Sequence, residues 1–126
     1  MIYRITRLIL VLLAINATVN AQNQDTLSIT LENVKYAYPT KYFTINTGGQ
    51  QLKMAYMDVS AKNVGNGKTV MLFHGKNFGG YYWTNVINWL TTAGFRVIVP
   101  DQIGFGKSPK AYIHYSFHEM AKWNKQ

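Results

Sequence analysis

The sequence predicts an α/β fold, and three observations predict it: nearly unbroken apolar runs at 69–73 and 95–99, a helical stripe between them, and a glycine-bearing loop after each run. An unbroken apolar run suits a strand covered on both faces, as in a parallel sheet. Parallel strands joined through a helix form a crossover that is right-handed in nearly all folds. Its two loops lie together at the carboxyl ends of the strands, where open α/β sheets keep their chemistry.

Taken in order, the 126 residues begin with a segment that reads as an export signal rather than as fold. Arg4 and Arg7 form a basic start, residues 8–15 an apolar run, and Val19-Asn20-Ala21 the small-residue pattern that precedes cleavage. Residues 1–21 are therefore expected to be removed, leaving a mature chain that starts at Gln22 and is secreted or periplasmic. Eight apolar residues fall far short of the roughly 20 that span a bilayer, so no stable membrane anchor is expected. Residues 22–126 are expected to form a partial α/β domain, after a polar connector at 22–25.

The first two strands are expected at 42–46 and 52–59. Thr47-Gly48-Gly49-Gln50 lies between them as a hairpin signal, because glycine takes the positive φ that tight hairpin turns demand. A loop at 61–68, with Gly65-Asn66-Gly67, leads into the third strand. After it, Trp83, Val86, Ile87 and Leu90 fall at i, i+3, i+4 and i+7, one stripe of a helix, and Gly94 stands where such a helix is capped before the fourth strand. Ser116 and Glu119 have the spacing of a reciprocal capping box, with Phe117, Met120 and Ala121 starting the apolar stripe of a second helix. That helix reads as cut after barely two turns.

Thirteen Lys and Arg against five Asp and Glu give a net charge of +8, but the lysines are scattered singly. Without a run of like charge the pattern describes a solvated basic surface, and no nucleic-acid partner is expected. The absence of cysteine excludes disulfides, Cys-ligated zinc and a thiol nucleophile within this sequence.

The residues that carry chemistry are the two loops. The first reads His74-Gly75-Lys76-Asn77-Phe78-Gly79-Gly80, and the second Pro100-Asp101-Gln102-Ile103-Gly104-Phe105-Gly106-Lys107-Ser108. Gly75 permits a sharp turn at the end of the strand. Asp101 can accept backbone N–H bonds across a tight turn, while Gly104 and Gly106 allow conformations closed to other residues. On either side of a correctly spaced helix, the pair resembles the His-Gly oxyanion loop and the Asp-x-x-Gly-x-Gly-x-Ser loop of the α/β-hydrolase superfamily.

That resemblance implies a doubly wound, mostly parallel sheet of about eight strands in the order 1-2-4-3-5-6-7-8. This sequence would supply its N-terminal half: strands 1 to 4, the helix after strand 3 and the start of the next, stopping before the nucleophile. It assigns the backbone N–H of Lys76 to a developing oxyanion, makes His74 a loop brace rather than the catalytic base, and leaves Gly75, Asp101, Gly104 and Gly106 to shape the loops. Asn77, Phe78 and Tyr82 are candidate pocket residues. The implied activity is hydrolysis of a small-molecule or peptide acyl substrate by a Ser-His-Asp or Ser-His-Glu triad in a longer protein, with no cofactor, no metal and no catalytic residue in this segment, which alone would be inactive.

Relatives with an aspartate nucleophile, the epoxide hydrolases and haloalkane dehalogenases, commonly carry His-Gly-x-Pro in the first loop. Asn77 stands at the proline. A third reading is a truncated, non-catalytic secreted module that binds through its aromatic loop.

Three other motifs fail. Gly106-Lys107-Ser108 ends like a phosphate-binding loop, but position 101, where its first glycine belongs, is Asp101. Ser108 is not a nucleophile elbow, because Lys110 replaces the second glycine and Pro109 lacks the N–H that would follow the serine. His114 and His118 are spaced for one helix face, yet Lys122 stands where a zinc-binding helix needs its next histidine.

Overall fold

The computed structural model describes residues 27–126; the export signal, its cleavage site and the connector at 22–25 lie outside the described residues. Four strands form one mixed sheet in the order β1-β2-β4-β3: β1 (Thr40–Thr47), β2 (Gln50–Val59), β3 (Thr69–Met71) and β4 (Arg96–Pro100). The β1–β2 and β2–β4 ladders are antiparallel, and parallel pairing begins at β3–β4, with Val70 opposite Val97. Gly48 and Gly49 make the β1–β2 turn with φ of +55° and +70°, the paired positive values that a two-residue hairpin of this twist requires.

A 3-10 turn, Gly80–Trp83, opens the crossover and runs into helix α1 (Thr84–Thr92). The helix ends in a Schellman motif. Gly94 lies at φ +88° and donates to the Thr91 carbonyl, while Phe95 N–H reaches the Leu90 carbonyl, so the last turn's acceptors are satisfied. Helix α2 (Phe117–Lys125) closes the chain. Its N-cap is Ser116, whose Oγ accepts from Glu119 N–H at 3.2 Å; the Glu119 carboxylate pairs with Lys122.

The two faces of the sheet bury separate clusters, as period-two alternation requires. On one face Met57, Val97 and Val99 pack against Ile87 of α1 and against Tyr36, which belongs to the segment before β1. On the other, Ile45, Leu52 and Met54 meet Ile103 and Trp123 of α2. Helices thus lie on both faces, the α/β arrangement the apolar runs predict.

Two details differ from the sequence reading. Strand β3 stops at Met71, with one further ladder bond from Leu72 N–H to the Ile98 carbonyl, and it is not covered on both faces, since Met71 and Phe73 are each 44% exposed. It is an edge strand, paired among the described residues with β4 alone. In α2 the expected stripe is turned. Phe117 is 90% exposed and Ala121 is exposed, whereas Trp123 is buried and Met120 packs beside it. Burial of the indole against Ile103 and the ring of Tyr115 sets the helix face, because the largest apolar surface decides it.

Candidate active site

The loops after β3 and β4 meet at the carboxyl ends of those strands, joined by His74 and Asp101. His74 is 4% exposed. Its Nε2 accepts from Gln102 N–H at 3.0 Å, which leaves the proton on Nδ1 to be donated to the Gly75 carbonyl at 2.8 Å. Gln102 returns the link through its side-chain amide, which donates to the His74 carbonyl at 2.8 Å. With both ring nitrogens engaged inside this brace, the imidazole has no free lone pair to take a proton from a nucleophile.

Asp101 is 1% exposed, and a buried carboxylate is costly unless hydrogen bonds surround it. Three do. Gly80 N–H and Lys107 N–H (2.7 Å) donate to it from the two loops, and the Tyr36 hydroxyl donates at 2.8 Å. The bond to Gly80 has a second effect. No side chain caps the first turn locally and no acid lies within it, so Asp101 supplies from the neighbouring loop the negative charge that a helix start favours. Burial, and then the Asp101 carboxylate, push the Tyr36 hydroxyl far above its ordinary titration range, so it remains a donor.

The glycines follow from this crowding. A Cβ on Gly106, at φ +52°, would lie 2.2 Å from Asp101 Cγ. On Gly80 it would stand 3.0 to 3.2 Å from Met57, Asp101 and Val99. Ser108, 0% exposed, fastens the second loop to β2, accepting from Ala55 N–H at 2.9 Å and donating to the Asp101 carbonyl. It is a staple.

Lys76 and Asn77 form the exposed tip of the first loop. Phe78 N–H closes the turn onto the Gly75 carbonyl at 3.3 Å, and Asn77 lies at φ +68°. Among the described residues, Lys76 N–H has no acceptor. A cleft of about 840 Å³ opens beside it, walled by Phe73, His74, Gln102, Phe105, Phe117 and Met120.

Of the candidate pocket residues, none lines that cleft. Asn77 and Phe78 border a smaller hollow of about 190 Å³ with Gly104, Gly106 and Lys110. Tyr82 is 59% exposed and lies tilted against Phe78, ring centroids 5.0 Å apart and planes inclined at 52°. Tyr36 and Gln102, which complete the two braces, carry no local sequence signal.

This arrangement, a strand ending in a His-Gly turn whose loop is braced by the neighbouring Asp-x-x-Gly-x-Gly-x-Ser loop, on a 1-2-4-3 sheet, is part of the α/β-hydrolase fold. Residues 68–126 match the family model for the alpha/beta hydrolase fold, and the chain carries part of that fold. A haloalkane dehalogenase from Mycobacterium marinum is 30% identical over 95 residues, covering 73% of this chain and 31% of its own length. Epoxide hydrolase 3 from Siraitia grosvenorii is 34% identical over 77 residues, 57% of this chain and 22% of its own. The crystal structure of a "probable hydrolytic enzyme" from Pseudomonas aeruginosa PAO1 superposes with a TM-score of 0.76 at 44% identity, covering 79% of this chain and 32% of that one. The chain thus spans between about a fifth and a third of the length of these relatives.

Proposed function

We propose that the protein to which this chain contributes hydrolyses an acyl bond, ester or amide, with the backbone N–H of Lys76 as one donor to the tetrahedral oxyanion. The supporting observation is the Lys76 turn itself: a main-chain N–H without an acceptor among the described residues, at the edge of an apolar cleft, on a loop braced from two sides. Such pre-aimed donors act where charge develops, and losing one costs roughly 3 to 4 kcal/mol of transition-state stabilisation in a well-measured protease. The nucleophile, a base and an orienting acid come from outside the described residues, among which no serine hydroxyl bonds a histidine.

Asn77 favours acyl hydrolysis over the aspartate-nucleophile route. Its φ of +68° is closed to proline, whose ring holds φ near −65°, so this loop cannot take the form a His-Gly-x-Pro sequence imposes. The second reading, carbon–halogen or epoxide opening by an aspartate, rests on the haloalkane dehalogenase and epoxide hydrolase among the matching relatives.

A three-substrate comparison on the full-length gene product separates them: p-nitrophenyl acetate, a 1-haloalkane followed by halide release, and styrene oxide. Ester turnover that exceeds the other two is expected. Halide or diol formation without ester cleavage would replace the first reading by the second. The 126-residue chain alone is expected to give no turnover above a lysine-and-histidine peptide background.

A further inference from the structure

Tyr36 lies outside both loops and before the first strand, yet its hydroxyl reaches the centre of the brace between them. It donates to Asp101 Oδ2 at 2.8 Å and packs over Gly79, where even a methyl group would come within 3.2 Å of the oxygen. The ring is 7% exposed, edge-on to Tyr81 at 5.8 Å, with Lys107 Nζ 4.7 Å from its centroid. Three separate stretches of backbone therefore close around one hydroxyl: Gly79-Gly80 of the first loop, Gly106-Lys107 of the second, and the segment leading to β1. Gly79 and Gly106 approach so nearly that a Cβ on the former would sit 3.1 Å from the Cα of the latter.

We infer that Tyr36 is a positioning residue for the candidate site, tying the segment before β1 to both loops through Asp101 and so fixing the direction of the Lys76 N–H; the role assigned to that N–H rests on the hydrolase reading above. The hydroxyl satisfies part of the demand of a buried carboxylate that otherwise has, among the described residues, only the two loop N–H groups to hold it. Without it, the carboxylate keeps two donors and gains freedom to turn. The turn at Gly80, three residues after Asn77, then loses its fixed anchor, and the orientation of the loop tip follows. The ring accounts for packing and the hydroxyl for alignment, so the two contributions can be separated by a single atom.

The test is Tyr36→Phe in the full chain, read by amide hydrogen exchange and by the backbone amide spectrum. Removing one hydrogen bond to a charged group is expected to speed exchange at Gly80 and Lys107 by about tenfold or more. Val97, in the middle of the sheet, is expected to keep its protection, and the Lys76 amide resonance to shift. Asp58→Asn, a change remote from the loops, is expected to leave Lys76 where it was. Unchanged exchange at Gly80 and Lys107 would overturn the inference, as would equal acceleration at Val97, which would make Tyr36 a general packing residue. Movement at Gly80 without movement at Lys76 would also overturn it. None of these readouts depends on catalysis, so failure of the hydrolase reading would appear separately, in the substrate comparison.

Discussion

Gly106 shows how strongly one residue can be determined by a neighbour that the chain brings back on itself. Two penalties apply to Gly106→Ala: a side chain at φ +52°, costing about 1 to 2 kcal/mol, and a Cβ 2.2 Å from the buried Asp101 carboxyl carbon. The carboxylate cannot retreat without breaking bonds to Gly80, Lys107 and Tyr36. A loss on the order of 3 kcal/mol or more in a urea melt is expected. Gly49→Ala is the control, since it shares the positive φ, +70°, but meets nothing within 4 Å, and only the smaller conformational cost is expected there. Equal losses at the two positions would show that contact with Asp101 contributes nothing. Asp101 and Gly106 were legible in the sequence because turn chemistry is local, five residues apart. Tyr36 was not, because its partner lies 65 positions away and nothing in the surrounding segment marks it. The aromatics at 78 and 82 read as candidate pocket residues from their place after the first loop; Phe78 borders the smaller hollow and Tyr82 is 59% exposed, a placement that depends on how the loops fold rather than on the local sequence.

At the scale of the element, what the sequence spelled out was whatever depends on neighbours within a few positions: the Gly48-Gly49 hairpin, the stripe of α1 and its Gly94 stop, the Ser116 cap. The face of α2 and the end of β3 depend on what packs from elsewhere, and both came out differently. The ion group across β1, β2 and β4 is of the same non-local kind. Asp58 on β2 receives a two-pronged contact from Arg96 on β4, at 2.8 and 2.9 Å, and Lys41 on β1 at 3.2 Å, so one carboxylate spans three adjacent strands. The Arg96 hydrogen bonds, with Lys41 behind them, lower its pKa to about 2. A carboxyl depressed in the fold stabilises it above its unfolded value, 3.8, and that stabilisation is lost as pH falls through the folded value. Asp58→Asn should therefore be less stable than the parent near neutrality, and the gap should close between about pH 4 and pH 2. Urea midpoints measured across that window decide it; a gap that persists below pH 2 would mean that the carboxylate acts through shape rather than charge.

For the whole molecule, the decisive fact is that the two sheet faces are unequally covered. One face is covered by α1 and the segment around Tyr36 where β2, β4 and β3 lie, with Tyr42 and Lys53 exposed at its β1–β2 end, whereas on the other α2 shields the β1–β2 end and leaves Met71, Phe73 and part of Ile98 beside open clefts. Strand β3 adds a row of unpaired backbone groups along the same margin, with no proline, charge or bulge to blunt it. An apolar edge of that kind is a template for pairing with another chain, and natural sheets disarm such edges with lysine. Met71 points to the uncovered side and is 44% exposed, so a lysine there keeps its ammonium in water and does not disturb the Val97 and Ile87 cluster on the opposite face. The 126-residue chain is accordingly expected to self-associate as its concentration rises, eluting early and broadly in size-exclusion chromatography, and Met71→Lys to shift it toward a monomer while leaving its urea midpoint within about 0.5 kcal/mol of the parent, as for other exposed positions. In a protein where further strands and helices cover this margin, the same substitution would bury an unpaired ammonium and cost several kcal/mol. A parent chain that is already a monodisperse monomer with a cooperative melt would show that the edge is harmless as it stands, and that residues 27–126 complete their own core without the surface that β3 presents.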